Sequence, residues 1–228
     1  MDDKIINNEN KQCATLKAYK MVKSKILNHK LNSRRLSENE LAKELQLSRT
    51  PVREALIMLE QENILFRQHG KGFQIRPFSM KDIKELYEYR RWLELSVAEA
   101  VIRNATEEDV DELNNLLNKN ESLIDEGKIE TAFAEGVKFH QKCNRLCNNS
   151  FMIKALDECY DKFLLIGWAC QDKEICIDSA KEHKEILIAL KQKDLKGFQQ
   201  NIEKHYIHGK NRAMNILSKQ YENWYLIK

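Results

Sequence analysis

From Ser79 to the last residue, 150 positions pass without one stretch of strand-like alternation. Apolar residues recur instead every three or four positions, the period of a helix. Such a length of chain has to fold as helices packed on helices. The spacing predicts six of them, at about 79–104, 106–126, 129–148, 150–170, 173–192 and 194–219. Breaks fall at Asn104, Gly127, Asn148-Asn149 and Lys191 to Asp194, and Thr106-Glu107-Glu108-Asp109 is an N-cap signature. Six helices with short loops form an antiparallel bundle. The supply of turn formers agrees: seven Gly and two Pro in 228 residues are too few for a sandwich, a barrel or an α/β fold. The chain is 42% hydrophobic, enough for packed cores rather than disorder.

The first third reads differently. Residues 1–13 are expected to be a flexible polar arm. From Ala14 to Asn28, Leu16, Tyr19, Val22, Ile26 and Leu27 keep helical spacing. Ser37-Glu38-Asn39-Glu40 is a capping box that opens a short helix ending near Leu45. After a turn at Gln46, Leu47 and Ser48, Thr50 is the expected N-cap of a further helix, with Pro51 in its first position. That helix runs to about Glu62, with Val52, Ala55, Leu56 and Leu59 on one face. Ile64–Arg67 and Gly72–Arg76 read as two short strands joined at His69-Gly70-Lys71. Three helices and a hairpin over residues 14–77 make a winged helix-turn-helix, a DNA-binding domain. The fold class is therefore mainly α, with this winged unit ahead of an all-α antiparallel bundle at 79–228.

Charge divides along the same line. Residues 1–78 carry 15 Lys and Arg against 9 Asp and Glu, a balance of +6; residues 79–228 carry 23 against 26, a balance of −3. An anionic partner is expected for the first part alone. No apolar run approaches 18 residues and the first dozen residues have no apolar core, so neither a membrane span nor a secretory signal is expected. The expected compartment is cytoplasmic, and the six cysteines then read as thiols.

The run Leu47-Ser48-Arg49-Thr50-Pro51-Val52-Arg53-Glu54-Ala55-Leu56, preceded by Leu36-Ser37-Glu38-Asn39-Glu40-Leu41-Ala42 and followed by a Gly-bearing wing, resembles the DNA-reading head of the GntR family of bacterial transcription regulators. Arg49, Thr50 and Arg53 lie opposite the apolar face of their helix. Arginine there can donate twice to guanine in the major groove, while Ser48, Thr50 and the helix start suit phosphate. At the wing tip, His69, Gly70 and Lys71 are placed for the minor groove. The resemblance implies DNA contacts at Ser48, Arg49, Thr50, Arg53 and Gly70. The family usually has Arg inside its Glu-x-Glu-Leu box; this chain has Asn39, so no contact is carried over there.

The remainder resembles the FCD effector domain of the FadR branch of that family, through Arg90-x-x-Leu93-Glu94, Phe139-His140 with Asn149, Glu182-His183 and His205. His140 shares a face with Val137 and Cys143, His183 with Ile186, Leu187 and Leu190, and His205 with Ile202, so all three point inward. The resemblance implies a divalent transition metal (Zn, Ni or Mn) on His140, His183 and His205. Many members have Asp four residues before the first histidine; here it is Gly136, leaving a coordination position and space for an effector oxygen. Cys143 and Cys147 share the His140 face and read as core residues. His208 reads as surface. Arg90 is expected either to meet a small organic acid effector or to pair with Glu94. The function implied is a ligand-responsive, sequence-specific DNA-binding regulator, a repressor in the family's commoner mode. It is expected to be a homodimer meeting two half-sites of double-stranded operator DNA. A metal-free regulator with an acyl effector is the alternative. A metal-dependent bundle enzyme finds no support in paired Glu-x-x-His motifs, a phosphate loop or a nucleophile elbow.

Overall fold

The computed structural model describes residues 2–28, 30–31, 35–68, 72–167 and 172–224. The chain divides into two compact units, Met1–Pro77 and Phe78–Lys228.

In the first unit, α1 (Asp2–Leu27), α2 (Glu38–Leu45) and α3 (Arg49–Gln61) carry a small sheet. Ala18, Val22 and Ile26 recur every four residues along α1 and are fully buried, as are Val52, Ala55, Leu56 and Leu59 of α3, against which α1 packs. The side chain of Ser37 caps α2, and Gln46 ends it in the left-handed conformation (φ 55°). Strands β2 (Leu65–Gln68) and β3 (Gly72–Ile75) pair antiparallel, Arg67 opposite Phe73. Ahead of α2 the chain supplies a further strand not anticipated from the sequence, β1 (Arg35–Leu36), which pairs with β3 and gives the order β1-β3-β2. Two residues are too few for alternation to show in a sequence. Burying Leu36 opposite buried Phe73 is what sets that register.

Two local expectations shift. Residues 2–13, expected as an arm, belong to α1: no Pro or Gly interrupts them, and adding residues to a nucleated helix is far easier than starting one. Helix α3 begins at Arg49 with Ser48 as its N-cap, two residues before the expected start. Pro51 then stands third in the helix, still among the leading positions whose N–H has no partner within the helix, so it breaks nothing.

The second unit consists, among the described residues, of six helices: α4 (Met80–Asn104), α5 (Glu107–Asp125), α6 (Ile129–Arg145), α7 (Ser150–Gly167), α8 (Lys173–Lys191) and α9 (Leu195–Trp224). Ser79 and Thr106 form full capping boxes with Asp82 and Asp109, and Asp172 caps α8. Gly127, Asn148 and Lys193 take left-handed conformations between helices, and there the helical pattern breaks in the sequence. The Lys193 ammonium reaches back to the carbonyls of Ile102 and Ala105 and closes the C-terminal end of α4. Phe139, Tyr160 and Phe198 are the largest fully buried side chains of the core, together with Leu113, Leu117 and Leu156. Among the described residues no helix is long and apolar enough to cross a membrane.

Candidate functional site

In the first unit, Ser48, Arg49, Thr50 and Arg53 are all exposed, on the face of α3 opposite its buried stripe. Arg53 approaches Glu38 of α2 at 4.0 Å and remains 62% exposed, so its guanidinium is held loosely. Arg49 lines a cleft with Arg35, Asn39 and Gly72, between the starts of α2 and α3 and the sheet. Ser48 makes no side-chain bond to its own helix. His69, Gly70 and Lys71 lie outside the described residues.

In the second unit, α6, α8 and α9 bring His140, His183 and His205 together. One ring nitrogen from each lies within 4.8 Å of the others, and all three residues are buried. His140 Nε2 stands 3.0 Å from His183 Nε2. The outer nitrogens of two rings are taken by buried carboxylates: His140 Nδ1 by Glu94 at 3.1 Å and His205 Nδ1 by Glu182 at 2.7 Å. An N–H at each Nδ1 leaves each Nε2 as a lone pair facing inward, which is how carboxylates prepare imidazoles for a cation. Glu182 is itself gripped by Arg212 through both oxygens, at 2.9 and 2.8 Å, and by His208 at 2.8 Å. His208 is exposed and lies outside the cluster.

Arg90 of α4 is buried with its Nε on Glu94 at 2.9 Å, and the same carboxylate accepts from Tyr160 at 2.8 Å. The guanidinium lies over the rings of Phe163, Tyr160 and Tyr206, 4.5–5.0 Å from their centroids. Its Nη2 is buried and, among the described residues, has no hydrogen-bond partner. Of the two expectations for Arg90, the pairing with Glu94 forms, and one nitrogen is left over.

The expected space at Gly136 is bordered by His183. A Cβ there would stand 3.2 Å from His183 Cε1 and 3.8 Å from Asn120 Nδ2. The missing side chain lets the imidazole edge of His183 come close, and Gly136 and His140 line one pocket. Cys143 and Cys147 are buried, and burial pushes the Cys143 thiol up. The sequence reading missed the work of Glu94 and Glu182. Both stood in the quoted motifs, but which ring each would meet depends on how the helices face one another.

The three imidazoles are held neutral. Burial pushes His140 down to about 4 against the pull of Glu94. Burial, then His205, His140 and Arg90, hold His183 well below the usual range. Burial also lowers His205, with Glu182 opposing it. The Glu94 carboxyl is pushed up by burial, but His140 and Arg90 outweigh this and keep it ionised. A group whose folded pKa is depressed stabilises the fold above its unfolded pKa, and that contribution is lost as pH falls through the folded one. Chelator-treated protein is therefore expected to lose stability from 6.5 down towards about 4. The slope is about 1.4 kcal/mol per pH unit for each histidine that stays neutral. Equilibrium denaturation across that range checks it; a flat profile would mean that the folded chain protonates these rings freely.

As a donor set, three neutral imidazoles suit Zn or Ni, with coordination positions to spare, and match the hard Mn ion less well. The 3.0 Å between two of the nitrogens is the spacing of two ligands, each at about 2.1 Å, that meet at a right angle on one ion; a tetrahedral angle would spread them to about 3.4 Å.

Comparison with known proteins places both units. The family model for the FCD domain matches residues 85–208, and that for bacterial regulatory proteins of the gntR family matches residues 14–75. The HTH-type transcriptional regulator YdhC of Bacillus subtilis is 28% identical over 91% of this chain and 94% of its own. The gluconate operon transcriptional repressor of Bacillus licheniformis is 30% identical over 74% of this chain and 73% of its own. Among solved structures, Escherichia coli McbR/YncC superposes with a TM-score of 0.79 at 24% identity, covering 91% of this chain and 98% of that one.

Proposed function

Because this chain belongs to the GntR family of bacterial transcription regulators, with an FCD domain behind its winged helix-turn-helix, we propose that its helical unit senses a small carboxylate effector through a divalent transition metal on His140, His183 and His205. The chain is a transcription regulator and not an enzyme. What supports the metal reading is the convergence of three buried ring nitrogens, two of them on rings already oriented by Glu94 and Glu182. Bound there, the ion supplies a Lewis-acidic seat for an oxygen of the effector. Arg90 supplies the second contact through its unpartnered Nη2.

In the head, Ser48, Arg49, Thr50 and Arg53 contact operator DNA, and His69, Gly70 and Lys71 extend the contact into the minor groove. The working form is a cytoplasmic homodimer whose two heads meet two half-sites, and its action is repression. The effector acts by binding more tightly to one arrangement of the heads than to the other; their difference in affinity sets the size of the response.

Elemental analysis of protein expressed in metal-supplemented medium tests the centre. About one divalent ion per chain is expected. Replacing His140, His183 or His205 by Ala lowers metal content, while His208→Ala does not. A second reading rests on the contact between His140 and His183, which closes as a hydrogen bond with no ion. In that case metal content stays near zero and the imidazoles meet the effector directly.

A further inference from the structure

In the head, Arg35, Ser37, Glu38, Asn39 and Glu40 share a cleft with Arg49, between β1 and the starts of α2 and α3. Asn39 is the second residue of α2 and is exposed. Asparagine at a helix start usually serves as its cap, but Ser37 holds that place here: its Oγ accepts from the Glu40 amide at 3.3 Å. Asparagine is also a mediocre helix former, so neither the cap nor the helix accounts for it. A contact between helices fixes where its amide stands. Glu38 Oε1 approaches Arg53 Nε at 4.0 Å, which sets the start of α2 alongside the exposed face of α3 that carries Arg49 and Arg53.

We propose that Asn39 reads an adenine in the major groove, beside the base met by Arg49. The proposal rests on the reading of α3 as the helix that enters the groove. A carboxamide offers one acceptor and one donor side by side. Adenine presents their complements, a donor at its N6 amino group and an acceptor at N7. Guanine presents two acceptors, O6 and N7, and the Asn39 Oδ1 would face one of them with no proton between. Arg49, with donors only, has the reverse preference. Each half-site then carries an A·T pair and a G·C pair close together, one for each residue. A phosphate is the poorer partner for Asn39. Glu38 and Glu40 line the same cleft, where a phosphate would meet like charge and an uncharged base edge does not.

Selection of duplexes from a randomised pool by the full-length chain tests this, followed by fluorescence anisotropy on the selected site and its single-base variants. Wild type is compared with Asn39→Arg, Asn39→Ala and Arg49→Ala, with circular dichroism confirming an unchanged fold. The wild type is expected to select an A·T pair in each half-site whose replacement by G·C weakens binding about 10-fold, the order that one bidentate pair supplies. Asn39→Arg should select G·C at that same position. Asn39→Ala should lose preference there and keep it elsewhere, and Arg49→Ala should relax a different position. Asn39 variants that keep the wild-type site and affinity, or that change affinity for every duplex alike, would overturn the proposal. So would a change of preference at a position where the wild type selects another pair. In each of these cases a relaxed position in Arg49→Ala leaves α3 in the groove. If the pool yields no site, or Arg49→Ala and Arg53→Ala also select as the wild type does, the reading of α3 fails and the proposal with it.

Discussion

Glu94→Ala is expected to destabilise the helical unit by about 3–5 kcal/mol, the cost of breaking a buried ion pair from one side. Glu94 is 1% exposed and accepts from Arg90, His140 and Tyr160 at 2.8–3.1 Å. Without it the Arg90 guanidinium stays buried among three aromatic rings with no counter-charge. Urea denaturation followed by far-ultraviolet circular dichroism measures the loss. Changing both partners, Arg90→Met with Glu94→Leu, should recover part of it, because no buried charge is left unpaired, although His140 and Tyr160 still lose their acceptor. A loss below about 1 kcal/mol in the single variant would mean that the pair is solvated in the folded chain.

The second large effect lies in the head. Arg49→Ala and Arg53→Ala should each weaken binding to an operator selected in vitro by about 1–3 kcal/mol and relax preference at particular base pairs. Neither side chain holds the fold together. Arg53 is 62% exposed and only grazes Glu38, so the folded state should be little changed while DNA affinity falls. Binding by fluorescence anisotropy to the selected site and to scrambled duplexes separates the two. If both variants keep wild-type affinity and selectivity, α3 is not the element that enters the groove.

Helices were the most legible part of the chain. All six in the second unit begin within a residue of the expected starts, Gly127, Asn148 and Lys193 taking left-handed conformations between them; α6 ends at Arg145, three residues before the expected break, and α9 runs on to Trp224, past the expected 219. Strand β1 was not legible: its pairing partner lies almost 40 residues further on, and two residues carry no period. Nor was the early start of α1, since nothing in residues 2–13 favours helix strongly or forbids it. At the site, helical phase predicted correctly that His140, His183 and His205 face inward. The carboxylates behind them were not predicted. Glu182 follows its own helix's phase but meets a ring on α9, and only the packing of α8 on α9 decides that. Gly136 shows the same limit. Its sequence position suggested a gap beside His140, but not that the imidazole edge of His183, on the neighbouring helix, would border it.

The unspent hydroxyl of Ser48 has a consequence for how DNA and the head would affect each other. Helix α3 begins with the amides of Ser48, Arg49 and Thr50 unmatched within the helix, Pro51 contributing none, and without a side-chain cap from Ser48. A missing cap typically leaves a helix about 1 kcal/mol short of its full stability. A phosphate oxygen arriving at that end would complete the helix in the act of binding. Part of the head's affinity for a duplex would then be conformational energy held back from the free protein. The first turn of α3 would fray in solution and anneal on the groove, making this helix start a place where folding and recognition are one event.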